Sequence, residues 1–338
     1  MIDLRSDTVT QPTDEMRAVI ASAKVGDDAL GDDPTVREFE HKVAERLGKP
    51  AAIYCVSGTM CNEIAIHLHT RPGDEVIIHE HAHPVSHESG APSAISGVAL
   101  HRLPGRRGVL EPELVRSAIR PDAPYLPRTG LLMLENTHNM EGGTVWPLEA
   151  MKEVSSVARE TGLPVHLDGA RLWNASVASG VPESRYAACA DTVSVCFSKG
   201  LGAPVGSVLA GPAELIHEAH RVRHRLGGAW RQAGLLAAAA SYALDVHRDA
   251  LAEDHRNARR LAEGLRGIPG LKPADEIDTN IVMIGLEKGM PDGPMLQERL
   301  FELGVSLFAL TQRSLRAVTH LGVSSEDIDR AVEAFARI

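Results

Sequence analysis

Ser194-Val-Cys-Phe-Ser-Lys-Gly-Leu-Gly-Ala-Pro-Val-Gly206 runs from an apolar stretch of strand length into a serine, a single lysine and a glycine-rich turn. The carboxyl ends of parallel strands are where α/β sheets bind ligands, and glycines there let the backbone come close to one. Lys199 thus stands where its amine can form a Schiff base. Upstream, Pro164-Val-His-Leu-Asp168 is a second apolar run, closed by a carboxylate and followed by Gly169-Ala170-Arg171.

Outward from this pair, strand-length apolar runs alternate with helical patterns between about residues 35 and 210, as in crossover units on a parallel sheet. Ala51–Val56, Glu75–Ile78, Leu131–Leu134, Pro164–Asp168, Thr192–Phe197 and Gly206–Ala210 read as strands. Apolar spacing of three and four places helices near Val36–Leu47, Met60–His69 and Leu148–Thr161. The Ala-rich stretch from Trp230 to about Ala252 reads as one long buried helix, with helical repeats continuing to Leu265 before Pro269-Gly270. Beyond it, Asn280–Ile284, Met295–Leu303, Ser306–Leu310, Leu315–Val318 and a helix from Ser325 predict a small α+β domain.

The formal charge of −10, with both signs interleaved, offers no footprint for nucleic acid or an anionic membrane, so a small-molecule substrate is expected. The opening Met-Ile-Asp-Leu-Arg-Ser-Asp has charges where a signal peptide needs an apolar run, and no stretch reaches membrane-span length. Cys55, Cys61, Cys189 and Cys196 form no C-x-x-C pair and sit in apolar segments, as buried thiols of a cytoplasmic protein do.

Pyridoxal phosphate needs an amine for its aldehyde, a carboxylate that keeps its ring nitrogen protonated, and a cradle of backbone amides for its phosphate. Lys199 and Asp168 supply the first two, and Ser57-Gly58-Thr59, between a strand and a helix, supplies the third. Taken singly these are a surface lysine, a salt-bridge partner and a helix cap. Three strand ends that each match one part of a single cofactor make that reading untenable. Gly200-Leu-Gly-Ala-Pro-Val-Gly206 is no dinucleotide fingerprint, because its spacing is G-x-G-x-x-x-G and Pro204 interrupts the helix that should start there.

The chain resembles the low-specificity L-threonine aldolases, within the β-eliminating lyases of pyridoxal-phosphate fold type I. The match is carried by Asp3–Thr10 (Asp-Leu-Arg-Ser-Asp-Thr-Val-Thr), Gly31–Thr35, Ser57–Thr59, Glu135–Asn139, His166–Arg171, Ser198–Gly200 and Arg231–Gly234. The resemblance implies an aminotransferase-like α/β fold with a mainly parallel sheet flanked by helices. It also implies an arm over residues 1–15 that contributes to the site, a large cofactor domain over 16–243 and a small domain over 244–338. Lys199 becomes the lysine that carries the cofactor, Asp168 the partner of the ring nitrogen, and Ser57, Gly58 and Thr59 the phosphate cradle. Arg231 is similar to a phosphate ligand that reaches across a subunit interface, which implies a homo-oligomer, a dimer of dimers being common. Ser6, Arg171 and Arg316 are expected to meet the substrate carboxylate, with Arg171 also near the cofactor. Guanidinium forks fix a carboxylate in angle as well as position. That angle selects the bond held perpendicular to the cofactor ring, and with Cα–Cβ there a β-hydroxy-α-amino acid falls to glycine and an aldehyde.

His79-Glu-His-Ala-His83 invites a metal reading, but no H-E-x-x-H helix or carboxylate motif accompanies it, so no metal is expected. His83 matches the family histidine that lies against the cofactor ring, where it can also take a proton from the β-hydroxyl. Structural or solvated roles are expected for His79, His81 and His87, and packed or hydrogen-bonded ones for His138 and His320. Asp27-Asp28 and Asp32-Asp33 read as a solvated loop near the entrance. Leu30, Ser86, His87, Tyr125 and His224 depart from the family at the rim, with Tyr125 near the substrate hydroxyl; the reaction class is therefore better specified than the substrate. The alternatives are a related lyase or transferase for another β-substituted amino acid, by β-elimination or transaldolation, and a cofactor-bearing binding protein without turnover.

Overall fold

The computed structural model describes residues 1–338. In chain order the strands are β1 (Ile2–Asp3), β2 (Ala51–Cys55), β3 (Glu75–His79), β4 (Ala99–Leu103), β5 (Thr129–Glu135), β6 (Val165–Gly169), β7 (Thr192–Cys196), β8 (Ser207–Gly211), β9 (Leu271–Pro273), β10 (Ile281–Leu286), β11 (Val305–Ser306), β12 (Phe308–Thr311) and β13 (Ser314–Val318). Seven of them form the central sheet in the order β2-β8-β7-β6-β5-β3-β4. Strand β8 is antiparallel to both neighbours and the remaining pairs are parallel. Strand β2 therefore runs in the same direction as β7, and the carboxyl ends of β2, β3, β5, β6 and β7 open on one edge. This is the α/β architecture expected from the alternation of strands and helices.

Strands β3, β6, β7 and β8 are buried along their whole length, because helices cover both faces of the sheet. The main core brings sheet residues such as Leu132, Leu167, Val193 and Val208 together with Phe39, Trp173 and Ala237 from the helical layers and Trp146 from the loop before the Leu148–Glu160 helix. A second core joins Leu261, Leu265, Val282, Leu296, Leu315, Ile328 and Phe335 around a four-stranded antiparallel sheet, β12-β13-β10-β9.

Leu4 belongs to this second core although it lies at the opposite end of the sequence. Strand β1 pairs in parallel with β11, the Leu4 carbonyl accepts from Val318 N at 2.8 Å, and His320 Nε2 donates to the Asp3 carbonyl at 2.8 Å. The arm then crosses to the large sheet, where Thr10 Oγ1 donates to the Lys199 carbonyl at 2.9 Å.

Two expectations change. The long helix from Trp230 to Ala252 is two helices, Gly234–Val246 and Leu251–Arg266. The chain turns between them, where His247 Nδ1 donates to the Leu201 carbonyl at 2.7 Å and ties the break to the loop after Lys199. The acidic loop is only half solvated. Asp28 pairs with Arg223 at 2.9 Å, and Asp33 caps the Pro34–Leu47 helix through Thr35 N and Val36 N while accepting from Gly234 N at 3.0 Å.

Candidate active site

A cleft of about 640 Å³ opens at the carboxyl edge of the sheet. Ser57, Gly58, Thr59, His83, Asp168, Arg171 and Lys199 line it, joined by Asn62, Glu135, Asn139 and Ser198.

Ser57 caps the Gly58–His69 helix, its hydroxyl accepting from Met60 N at 3.2 Å. Gly58 and Thr59 are the first two helical residues, whose N–H groups have no intrahelical acceptor and face an anion with the positive end of the helix dipole. A Cβ on Gly58 would sit 2.8 Å from Cys196 Sγ, so glycine lets this turn press against the end of β7. Gly206, on the return from Lys199, has φ of +119°, and a Cβ there would meet the Tyr54 hydroxyl.

Asp168 is almost fully buried in β6. Its Oδ1 accepts from Ala170 N at 3.0 Å and its Oδ2 from Asn62 Nδ2 at 2.8 Å. Burial alone would raise its pKa, but His83 and Lys199, together with these two hydrogen bonds, bring it below the ordinary carboxylate value. Asn62 spends its other amide hydrogen on Glu88 Oε1 at 2.9 Å, and its carbonyl accepts from Ser194 Oγ and His166 Nε2, both at 3.1 Å. The amide is saturated, which fixes its orientation and that of Asp168. His166 stays neutral, burial pulling its pKa to about 3.

His83 opens a short helix after β3. Its backbone N–H donates to Glu135 Oε2 and its Nδ1 to Glu88 Oε1, each at 2.7 Å, leaving Nε2 for the cleft. Burial lowers its pKa most, yet the Glu88 hydrogen bond and the charges of Asp168 and Glu88 outweigh it, so the net direction is up. Glu135 moves up through burial and the charge of Asp168. The His87 ring stacks on His83 at 5.4 Å and 19° between planes.

Arg171 and Arg316 both donate to Asn139 Oδ1, at 3.4 and 3.2 Å. Arg171 Nε and Nη2 are also taken by the two Asp7 oxygens at 2.7 Å each. Arg316 Nε has no partner, and its Nη2 reaches only the Arg5 carbonyl at 3.4 Å.

Five expected positions lie away from these lining residues. Ser6 caps the short turn Asp7–Val9 and accepts from Thr8 Oγ1 at 2.8 Å. Tyr125 is 84% exposed. The Arg231 side chain is 63% exposed and approaches Asp27 at 3.6 Å. Leu30 and His224 line a separate cleft with His217 and His220. The histidine motif does bring ligand atoms of His79, His81 and Glu141 within 4.8 Å of one another. His79, however, is committed on both sides, accepting from His81 N at 3.2 Å and donating to the Gly105 carbonyl at 3.1 Å.

The sequence reading assigned no role to Asn62, Glu88, Glu135, Asn139 or Asp7. The signal for the first was available: Asn62-Glu63 interrupts an otherwise apolar helix face of Cys61, Ile64, Ala65 and Ile66.

A lysine amine, a buried ionised carboxylate and a bare helix start in one cleft fit pyridoxal phosphate, and the architecture is that of fold type I, the aminotransferase-like enzymes that use it. The β-eliminating lyase family model matches residues 3–288, and the chain belongs to that family, as a carbon–carbon lyase. It is similar to low-specificity L-threonine aldolase 1 of Arabidopsis thaliana, at 40% identity over 99% of this chain and 95% of the relative. The low specificity L-threonine aldolase of Escherichia coli K12 is also 40% identical, over 97% of this chain and 96% of its own. The Leishmania major threonine aldolase structure superposes with a TM-score of 0.85 at 21% identity, covering 100% of this chain and 99% of that one.

Proposed function

We propose that this enzyme cleaves the Cα–Cβ bond of L-threonine, L-allo-threonine and related β-hydroxy-α-amino acids, reversibly, to give glycine and an aldehyde. The observation that carries this reading is Arg316, a buried guanidinium with an unpartnered Nε, in contact through Asn139 with the cleft that holds Lys199 and His83. A substrate carboxylate satisfies it. Bound pyridoxal phosphate supplies an aldehyde for the amino group and a ring that accepts the electrons of the breaking bond.

In this reading Lys199 anchors the cofactor, Asp168 holds the charge opposite the ring nitrogen, and Ser57, Gly58 and Thr59 take the phosphate. Arg316 and Arg171, with Ser6 beside them, would hold the carboxylate and so fix which bond at Cα is presented for cleavage. His83 covers the ring and accepts the β-hydroxyl proton at Nε2, with Glu88 steadying the resulting charge at Nδ1. Arg231 and Tyr125, exposed in the single chain, complete the phosphate site and rim of a second copy. A homo-oligomer follows, and we assign a dimer of dimers. Residues 1–15 act as an arm of the site, 16–243 as the cofactor domain and 244–338 as the small domain. A cytoplasmic location is supported by the four buried free cysteines, and no helix is long and apolar enough to cross a membrane.

The test is a panel of β-hydroxy-α-amino acids assayed with the holoenzyme for aldehyde and glycine. Release of both is expected; ammonia with an oxo acid identifies β-elimination instead, and no product identifies a binding protein. Lys199→Ala is expected to lower turnover about a thousandfold or more and to lose cofactor on dialysis.

A further inference from the structure

Behind His83 lies an acid that the reaction as read above does not use. Glu63 follows Asn62 on the Gly58–His69 helix and is buried, as is Glu88. Neither Glu63 oxygen has a hydrogen-bond partner, and neither has Glu88 Oε2. The two carboxyls lie against each other. Glu88 Oε1 already takes donors from His83 Nδ1 and Asn62 Nδ2. Two adjacent buried carboxylates cannot both stay ionised without a cation, whereas one proton between them satisfies an orphaned oxygen on each side.

We propose that Glu63 is a positioning residue for His83: it remains a neutral acid, donates to Glu88 Oε2, and so keeps Glu88 the single anion that holds the His83 ring. The effect on turnover rests on the proposed role of His83; the protonation of Glu63 does not.

Burial and the charge of Glu88 push the Glu63 carboxyl up to about 8. Glu135, His166 and Asp168 lie on strands packed against its helix, and His83 and Glu88 on the segment after β3; of these Glu88 acts on Glu63. On its own helix there are also Cys61, whose thiol burial raises, and on the Ala213–Arg225 helix His220, lowered to about 4, and Arg223, paired with Asp28. None supplies a cation to Glu63 itself. Above about pH 8 the pair therefore carries two like charges, whose repulsion loosens Glu88 and with it the His83 ring that Glu88 holds, so turnover falls.

The decisive measurement is the infrared spectrum of holoenzyme in D2O, wild type minus Glu63→Gln. Subtraction is needed because Glu40 and Asp254 are also buried acids, raised to about 7 and about 8. A protonated-carboxyl band at pH 7 that bleaches through about pH 8 is expected. Its absence at pH 7 overturns the proposal. In parallel the alkaline limb of kcat should move up by about one pH unit or more in Glu63→Gln; superimposable profiles overturn the link to His83. Should Glu63→Gln fail to fold, Glu88→Gln serves, because losing the neighbouring charge should shift the Glu63 bleach to lower pH, and an unmoved bleach sinks the pairing. A band without aldol cleavage would fault the reading of the reaction and leave Glu63 as assigned.

Discussion

Arg171 and Arg316 share one acceptor, Asn139 Oδ1, and differ in everything else. Arg171 is forked onto Asp7 and driven toward its charged form by that pairing, despite the opposing effect of burial. Arg316 is buried to 8% exposure with no carboxylate, and burial followed by the charge of Arg171 lowers its pKa. The first is part of the scaffold, its geometry fixed before any ligand arrives. The second carries an unmet electrostatic demand that a ligand can meet, and that difference, invisible in two identical residue types, separates an arginine already set for a carboxylate from one whose charge the carboxylate must satisfy.

The comparison breaks most visibly at Asp7. Asp7→Asn leaves Arg171 buried without its counter-charge, which should cost about 3–5 kcal/mol, read as a lower denaturant midpoint at unchanged m-value. Arg316→Gln should do the reverse. Its stability should hold or improve, while kcat/KM for amino-acid substrate falls about 10- to 100-fold, the worth of a charge-assisted pair. If the denaturant midpoint of Arg316→Gln falls as far as that of Asp7→Asn, the distinction fails.

A subtler check uses acid. Asp7 is lowered from 3.8 to about 2 by Arg171, Lys199 and Asn280, which together outweigh burial. Its contribution to stability is thus fully present above about pH 4 and is lost as pH falls through about 2. The gap between wild type and Asp7→Asn in denaturant should narrow over that window. The remaining effect is on the alkaline side. Asp254 and Glu40, raised to about 8 and about 7, favour the fold least when ionised. Stability should decline as pH rises from about 4.5 through those values, and Asp254→Asn should flatten part of the slope in a thermal scan.

The sheet, and the meeting of Lys199, Asp168 and Ser57–Thr59 in one cleft, were legible because each rests on local pattern: an apolar run, then a residue of one chemistry at its end. Lys199, Asp168 and Ser57–Thr59 all follow that rule. What escaped is set by contacts distant in sequence. Nothing near Asn62 says that its amide will bridge Glu88 and Asp168, and nothing in the alanines after Trp230 says that His247 will reach Leu201 and break the helix. The acidic loop misled for the same reason, since Asp28 and Asp33 become buried only through Arg223 and Gly234, some two hundred residues on.

The arm that joins the first strand to the last sheet has a consequence for biosynthesis. Arg5 and Arg316, whose groups meet beside the cleft, are 311 positions apart. A ribosome therefore releases Asp7 and later Arg171 long before the strand bearing Arg316 exists. The growing polypeptide must hold a half-built pocket, with its β1 edge unpaired, until β11 and β13 have been made. Closure of so distant a contact is slow, and the exposed edge in the interval is what a chaperone would shield.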